Sequence, residues 1–149
     1  KFSTEPQQLQ QGYLSTDFEE WVIRLRIINY QTAKITLKAR KDEISNHEFE
    51  YSIPFEDGMN IWNLITRKII KKRYELNFCS QKWIVDVFGG KNHPLVLAEV
   101  ELDSKNELVK KPTWCTSEVT SIKKFSNAAL AQFPIANWSS KERESLNLH

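Results

Sequence analysis

Ionisable residues recur in pairs two positions apart along this sequence, and apolar residues alternate with them. The pairs are Arg24/Arg26, Glu48/Glu50, Lys71/Arg73 and Glu99/Glu101. Because side chains in a β-strand alternate between the two faces of a sheet, each pair lies on one face and its apolar neighbours lie on the other. The pattern therefore predicts a sheet with one apolar face and one charged face.

Alternating stretches account for most of the chain. Strands are expected at 11–15, 20–30, 33–40, 47–53, 71–76, 82–88, 97–102 and 119–125. Gly89, Gly90 and Pro94 mark a turn, so the strands on either side of it should form a hairpin. Lys38 adds a positive charge and Asp86 a negative charge to the charged side of the predicted sheet.

The period changes to that of a helix after Pro54. Asp57 is expected to cap a helix whose apolar stripe includes Met59 and Trp62. Short helices are also expected at 103–111 and 127–133. These elements predict one mainly β (α+β) domain over residues 1–138, followed by a charged, mobile tail at 139–149.

Bulk properties narrow the class of protein. A chain of 149 residues suits one domain, and a net charge of +2 provides no overall positive field for nucleic acid. No apolar run approaches the roughly 18 residues of a membrane span. Cys79 and Cys115 form no disulfide framework, and no zinc-ligand spacing is present. We therefore expect a cytoplasmic monomer or homodimer without nucleic-acid or membrane partners.

Two architectures explain a charged face on such a sheet. In the first, the face is simply the solvated side of an open sheet. In the second, the sheet closes into a barrel with the charges inside and the apolar face covered by helices. Charges in a lumen are costly unless they pair or hold a ligand, and a polyphosphate with a divalent cation matches both signs. Periodicity alone does not decide between the two.

Eight short motifs point to a known family. They lie at 11–15 (QGYLS), 24–26 (RLR), 36–38 (TLK), 48–51 (EFEY), 71–74 (KKRY), 83–88 (WIVDVF), 97–102 (LAEVEL) and 118–120 (EVT), the last leading to Asn127. In this order and spacing the chain resembles the CYTH superfamily, the triphosphate tunnel metalloenzymes. The resemblance implies a closed eight-stranded antiparallel β-barrel with a charged lumen and helices outside. It also implies a hydrolase of triphosphates, most similar to bacterial inorganic triphosphatases.

The resemblance assigns roles to the charged residues. Glu99 and Glu101 are expected to bind Mg²⁺ or Mn²⁺, which prefer carboxylate oxygens. Lys71 is expected to stabilise charge on the leaving phosphate. Glu48 and Glu50 are expected to bind a second metal, to position the attacking water or to pair with arginines. The expected phosphate-binding residues are Lys1, Arg24, Arg26, Lys38, Arg73 and Lys124. Asp86 is either a lumen residue or a structural partner.

The chain also departs from the family pattern. Lys1-Phe2 matches the end of the family's leading Glu-x-Glu-x-Lys signature. Either the two glutamates lie upstream of the given sequence, which is the alternative we favour, or the protein lacks half of its metal site. Asn46 stands where relatives often have arginine, and Lys124-Phe125 stands where Arg-Tyr is usual. Two alternatives therefore remain open: an enzyme acting on nucleotides or thiamine triphosphate, or a non-catalytic module that binds polyphosphate.

Overall fold

The computed structural model describes residues 5–16, 21–42 and 45–146, and these contain seven strands. The strands are β1 Gln7–Thr16, β2 Trp21–Ile28, β3 Thr32–Arg40, β4 Asn46–Ile53, β5 Arg67–Phe78, β6 Gln81–Phe88 and β7 Val96–Glu101. The α-helices are α1 Phe55–Leu64, α2 Asn127–Gln132 and α3 Ser140–Glu144. Single 3₁₀ turns lie at Gly90–Asn92, Lys123–Phe125 and Ile135–Asn137.

The seven strands form one antiparallel sheet in the order β4-β3-β2-β1-β5-β6-β7. Neighbouring strands pair antiparallel throughout, and β6 and β7 form the hairpin that the glycine-rich turn predicts. The mainly β, antiparallel class is therefore confirmed. The sheet is not closed, because β4 and β7 are its two edges and do not pair with each other.

The expected strand at 119–125 is wrong. Ile122 N donates to Val119 O at 2.9 Å, and Phe125 N donates to Ile122 O at 3.1 Å, so the backbone folds into consecutive turns. Phe125 is buried and packs edge-on against Trp138. Packing of this aromatic pair takes precedence over the local alternation of the sequence.

The expected helix at 103–111 is also wrong: apart from one turn, in which Glu107 N donates to Ser104 O at 3.2 Å, backbone groups there bond to side chains. Asp103 N donates to Glu107 Oε2 at 2.8 Å. The buried Gln81 donates to Leu108 O at 2.9 Å and accepts from Lys110 N at 2.9 Å. The segment is therefore anchored to the start of β6.

The start of one helix and the structure of the C-terminal tail differ from expectation. Helix α1 begins at Phe55 after Pro54, so Asp57 lies inside its first turn and does not cap it. The tail contains the short helix α3, which begins with a capping box between Ser139 and Glu142. The expected helix at 127–133 is confirmed as α2.

Helices cover parts of both faces of the sheet. Trp62 and Ile65, from α1 and its end, pack on one face against Leu25, Ile27 and Ala33. On the other face, α2 and the segments around it bury Leu130, Phe125 and Trp138 against residues of β1, β5 and β6. The second cluster therefore shares its face with the charged residues.

Within the part of the chain that the structure describes, no helix has the length and apolar character needed to cross a membrane.

Candidate active site

Strand register places the charged residues on one side of the sheet. Directly opposed residues of paired strands point to the same face. The register pairs Tyr13 with Arg24, Arg24 with Thr36, and Thr36 with Glu50. On the other half of the sheet it pairs Arg73 with Asp86, and it aligns Glu99 and Glu101 with Ile84 and Lys82, which share the face of Asp86. The charged face so defined comprises Arg24, Arg26, Lys38, Glu48, Glu50, Lys71, Arg73, Asp86, Glu99 and Glu101.

A cleft of about 270 Å³ lies on the charged face beside the start of α2. Its lining includes three cationic side chains, from Arg24, Lys38 and Arg40. Among the described residues that line it, none is acidic. Tyr13 and Asn127 are among the polar lining residues. The cleft is therefore suited to an anion.

Arg24 is oriented by a chain of hydrogen bonds across three strands. Arg24 Nη2 donates to Thr36 Oγ1 at 3.1 Å, and Thr36 Oγ1 donates to Glu50 Oε2 at 3.2 Å. Thr36 is buried, whereas Glu50 is exposed and also pairs with Lys34 at 3.3 Å. Burial raises the pKa of Glu50, but hydrogen bonds from Lys34 and Thr36 outweigh it and hold the pKa below its ordinary value. Glu50 therefore stays ionised.

Asp86 joins two cations of β5. Lys71 Nζ lies 2.6 Å from Asp86 Oδ2. Arg73 donates to both carboxylate oxygens, from Nε at 2.8 Å and from Nη2 at 2.9 Å. Burial raises the pKa of Asp86, but hydrogen bonds from Arg73 and the charge of Lys71 lower it below its ordinary value. Asp86 thus carries its charge and acts as the partner of both cations.

Lys71 is enclosed by protein. Its side chain is 0% exposed, and its ammonium also donates to Asn127 Oδ1 at 3.0 Å. Burial lowers its pKa to about 8, although Asp86 opposes this shift. Lys71 is not among the residues that line the cleft. Asn127, which accepts from its ammonium, does line the cleft, and the expected role of Lys71 at the leaving phosphate stays a prediction.

Arg26 lies deeper on the same face. Its Nε donates to Oε1 of the fully buried Gln11 at 3.2 Å. Burial and the neighbouring charges of Arg24 and Arg73 lower its pKa to about 10. An anion beside Arg26 would relieve this repulsion.

Arg73 faces a second, smaller hollow of about 180 Å³, which Glu5, Gln7 and Glu75 also line. The structure thus separates two basic residues that the sequence analysis expected in one lumen, with Arg24 at the large cleft and Arg73 at the small hollow.

The two acidic pairs lie on opposite edges of the sheet. Glu48 of β4 lies 3.8 Å from Lys38, and Glu101 of β7 lies 3.9 Å from Lys82, with all four side chains substantially exposed. No three His, Cys, Asp or Glu side chains within the described residues are grouped closely enough to hold a metal. Mg²⁺ commonly binds through one or two carboxylates and completes its coordination with waters and substrate phosphates. Glu99 and Glu101 project from one strand to the same face, and their role as metal ligands stays a prediction.

Two further residues, Lys1 and Lys124, are predicted to bind phosphate. Lys1 lies outside the described residues. Lys124 is placed over the Trp138 ring, 4.3 Å from its centroid, and 3.7 Å from Glu142. It is not among the residues that line the cleft, so its role in phosphate binding stays a prediction.

The sequence analysis gave no binding role to five residues of the site, although all but Arg40 lie in or directly after its motifs: Gln11, Tyr13, Thr36, Arg40 and Asn127. Strand alternation places Gln11 and Tyr13 on one face, and it places Thr36 and Arg40 with Lys38, so their positions were open to inference. Asn127 carried no periodic signal, since its helix meets the sheet only in the folded chain.

The charged face and its basic cleft define an anion-binding protein built on an antiparallel sheet. Known proteins narrow this class. The chain is 37% identical over 131 residues to an inorganic triphosphatase of Acetivibrio thermocellus, an alignment covering 87% of this chain and 83% of that protein. It is 34% identical over 127 residues to an inorganic triphosphatase of Nitrosomonas europaea, covering 83% of each.

Solved structures agree with these relatives. The crystal structure of the inorganic triphosphatase NE1496 superposes with a TM-score of 0.71 at 32% identity, covering 85% of each chain. No family model matches the chain. The identities and coverage show that the chain belongs to the inorganic triphosphatase family of the CYTH superfamily, as its motifs predict.

Proposed function

We propose that this protein hydrolyses inorganic triphosphate to pyrophosphate and phosphate. One observation supports this most directly: the cleft on the charged face is lined by Arg24, Lys38 and Arg40 and, among the described residues, by no carboxylate. Family membership adds the reaction, because the relatives are inorganic triphosphatases.

Binding is the main task of the residues around the cleft. Phosphoryl transfer depends on positioning and charge neutralisation more than on covalent chemistry. Arg24 would hold phosphoryl oxygens in a fork geometry, and Lys38 would act as a more mobile point charge. Glu50 keeps Arg24 in place through Thr36, which favours an orienting role for this carboxylate. Glu48 forms a direct, exposed ion pair with Lys38 at 3.8 Å.

Glu99 and Glu101 would hold Mg²⁺ or Mn²⁺. A divalent cation supplies charge neutralisation at phosphoryl oxygens and lowers the pKa of bound water. Lys82 Nζ lies 3.9 Å from Glu101 and 3.6 Å from Glu75, so a metal bound by Glu101 would compete with this exposed ammonium.

The proposal includes closure of the sheet into a tunnel. The edge strands β4 and β7 carry Glu48/Glu50 and Glu99/Glu101 on the same face. Curling of the sheet towards that face would bring the two acidic pairs to either side of a common lumen.

The cytoplasmic location and the monomeric or homodimeric state expected from the sequence stay predictions.

The test is phosphate release from inorganic triphosphate by the chain with its natural N-terminus, with Mg²⁺ and separately with Mn²⁺. ATP serves as the comparison substrate. Arg24→Ala and Glu101→Ala should each lose most activity, whereas Lys91→Ala, an exposed residue after β6, should match the parent. Fast, metal-dependent release from triphosphate and slow release from ATP support the proposal. Faster release from ATP would instead identify a nucleotide-acting enzyme, and tight binding of triphosphate without turnover would identify a polyphosphate-binding module.

A further inference from the structure

Asn127 occupies a position between the buried cations and the cleft. It is the first residue of α2, and its Oδ1 accepts a hydrogen bond from Lys71 Nζ at 3.0 Å. It also lines the cleft together with Arg24 and Lys38. Lys71 itself is fully enclosed, so Asn127 separates the Lys71 ammonium from the space in the cleft.

The chemistry of this contact determines how the amide of Asn127 is oriented. An ammonium group has three hydrogen-bond donors and no acceptor, so only the carbonyl oxygen of the amide can face Lys71. The amide nitrogen then points away from Lys71. Among the described residues, Asn127 Nδ2 donates to no acceptor, and it is not one of the fully buried unpaired atoms. Two N–H donors therefore remain unpaired on a residue that lines the cleft.

For binding an anion in the cleft, a neutral amide at position 127 is better than a carboxylate. Aspartate would also accept a hydrogen bond from Lys71, but it would place a negative charge in a cleft whose described lining contains three cations and no anion. Lys71 has its counter-charge already, since Asp86 Oδ2 lies 2.6 Å away. Asparagine thus accepts from the ammonium on one side and presents donors on the other.

We propose that Asn127 is a substrate-binding residue whose side-chain amide, held by Lys71, donates a hydrogen bond to a phosphoryl oxygen in the cleft. This inference rests on the proposed function, because it takes the ligand to be inorganic triphosphate. Lys71 and Asp86 are then positioning residues, which fix the amide without touching the substrate.

The experiment compares Asn127→Asp and Asn127→Ala with the parent and with Asn63→Asp. Asn63 is exposed on α1, which packs against the opposite face of the sheet, so its variant carries the same charge change away from the cleft. Isothermal titration calorimetry with inorganic triphosphate in EDTA measures the Kd without hydrolysis. Circular dichroism melting checks that each variant is folded.

Loss of a hydrogen bond to a charged group predicts a Kd about tenfold weaker for Asn127→Ala. Asn127→Asp should bind more weakly still, because a like charge is added, and Asn63→Asp should stay within about twofold of the parent. Parental Kd values for both folded Asn127 variants would overturn the proposal. Should Asn127→Asp not fold, Asn127→Ala decides alone.

Failure of the proposed function gives a different result. If the parent binds triphosphate but releases no phosphate with Mg²⁺ or Mn²⁺, hydrolysis is excluded and the role of Asn127 is still judged from the Kd values. If the parent binds no triphosphate, the cleft is not a phosphate site and the role of Asn127 is overturned with it.

Discussion

Nζ of Lys71 lies 2.6 Å from Oδ2 of Asp86, and the two side chains are 0% and 7% exposed. Arg73 binds the same carboxylate, so two positive charges on β5 share a single negative charge on β6. This ion pair joins β5 to β6 on the charged face. Lys71 also donates to Asn127, which lines the cleft.

Asp86→Asn should destabilise the protein strongly. Removing one partner of a buried ion pair costs about 3–5 kcal/mol, because the remaining charges stay buried without compensation. Lys34→Ala is the matched control, since it breaks an exposed pair with Glu50 and should cost less than about 1 kcal/mol. Urea unfolding at pH 7 measures both. A loss below about 1 kcal/mol for Asp86→Asn would show that the buried pair is not a stabilising element.

Lys71 should make stability depend on pH in the alkaline range. Its pKa in the folded protein is about 8, below its ordinary value of 10.5. Between these values the unfolded chain binds more protons than the folded chain, so the contribution of Lys71 to the free energy of unfolding rises with pH. Below about pH 8 both states are protonated and the contribution is constant. The difference in unfolding free energy between the parent and Lys71→Met, measured by urea unfolding from pH 7 to pH 10, should therefore grow in favour of the parent. A difference that stays flat across this range would contradict the burial of a charged lysine.

Glu99→Gln and Glu101→Gln should weaken metal binding. Each variant removes one of the two carboxylates proposed as ligands. Mutation of residues that merely support a metal ligand weakens metal affinity by about tenfold or more, so we expect at least about tenfold weaker Mn²⁺ binding here. Mn²⁺ titration followed by electron paramagnetic resonance measures this without reference to activity. Glu56→Gln on α1 is the control, because Glu56 is an exposed carboxylate in the first turn of that helix. Equal Mn²⁺ affinity in the parent and the three variants would show that Glu99 and Glu101 are not the metal ligands.

Gly58→Ala should destabilise the contact between α1 and the sheet. A Cβ at this position would lie 2.4 Å from the Cβ of Ala33 on β3. Alanine gains about 1 kcal/mol over glycine in a helix, but overpacking of this kind costs about 1–3 kcal/mol, so the net effect is loss. Ala33→Gly removes the clashing atom and should rescue part of the melting temperature in the double variant. Without such rescue, the clash is not the cause of the loss.

Much of the charged face was predictable from sequence. Alternation assigned seven strands to their segments, and it placed Arg24, Glu50 and Asp86 with their partners on one face. The prediction was wrong at 103–111 and 119–125. In the first, Gln81 binds backbone groups that a helix would have used, and in the second Phe125 packs against Trp138. Both outcomes depend on residues distant in sequence, which local periodicity does not report.

The strand pattern, the separation of charged from apolar faces and the family follow from residue order alone, because strand alternation and motif order are properties of neighbouring residues. Which charges are buried, and what they contact, depends on how the chain folds. Lys71 is enclosed while Arg24 and Lys38 line the cleft, since α2 packs over one end of the charged face and places Asn127 on the lysine. Burial depends on how distant segments pack, and it separates the cations that line the cleft from Lys71, which is enclosed.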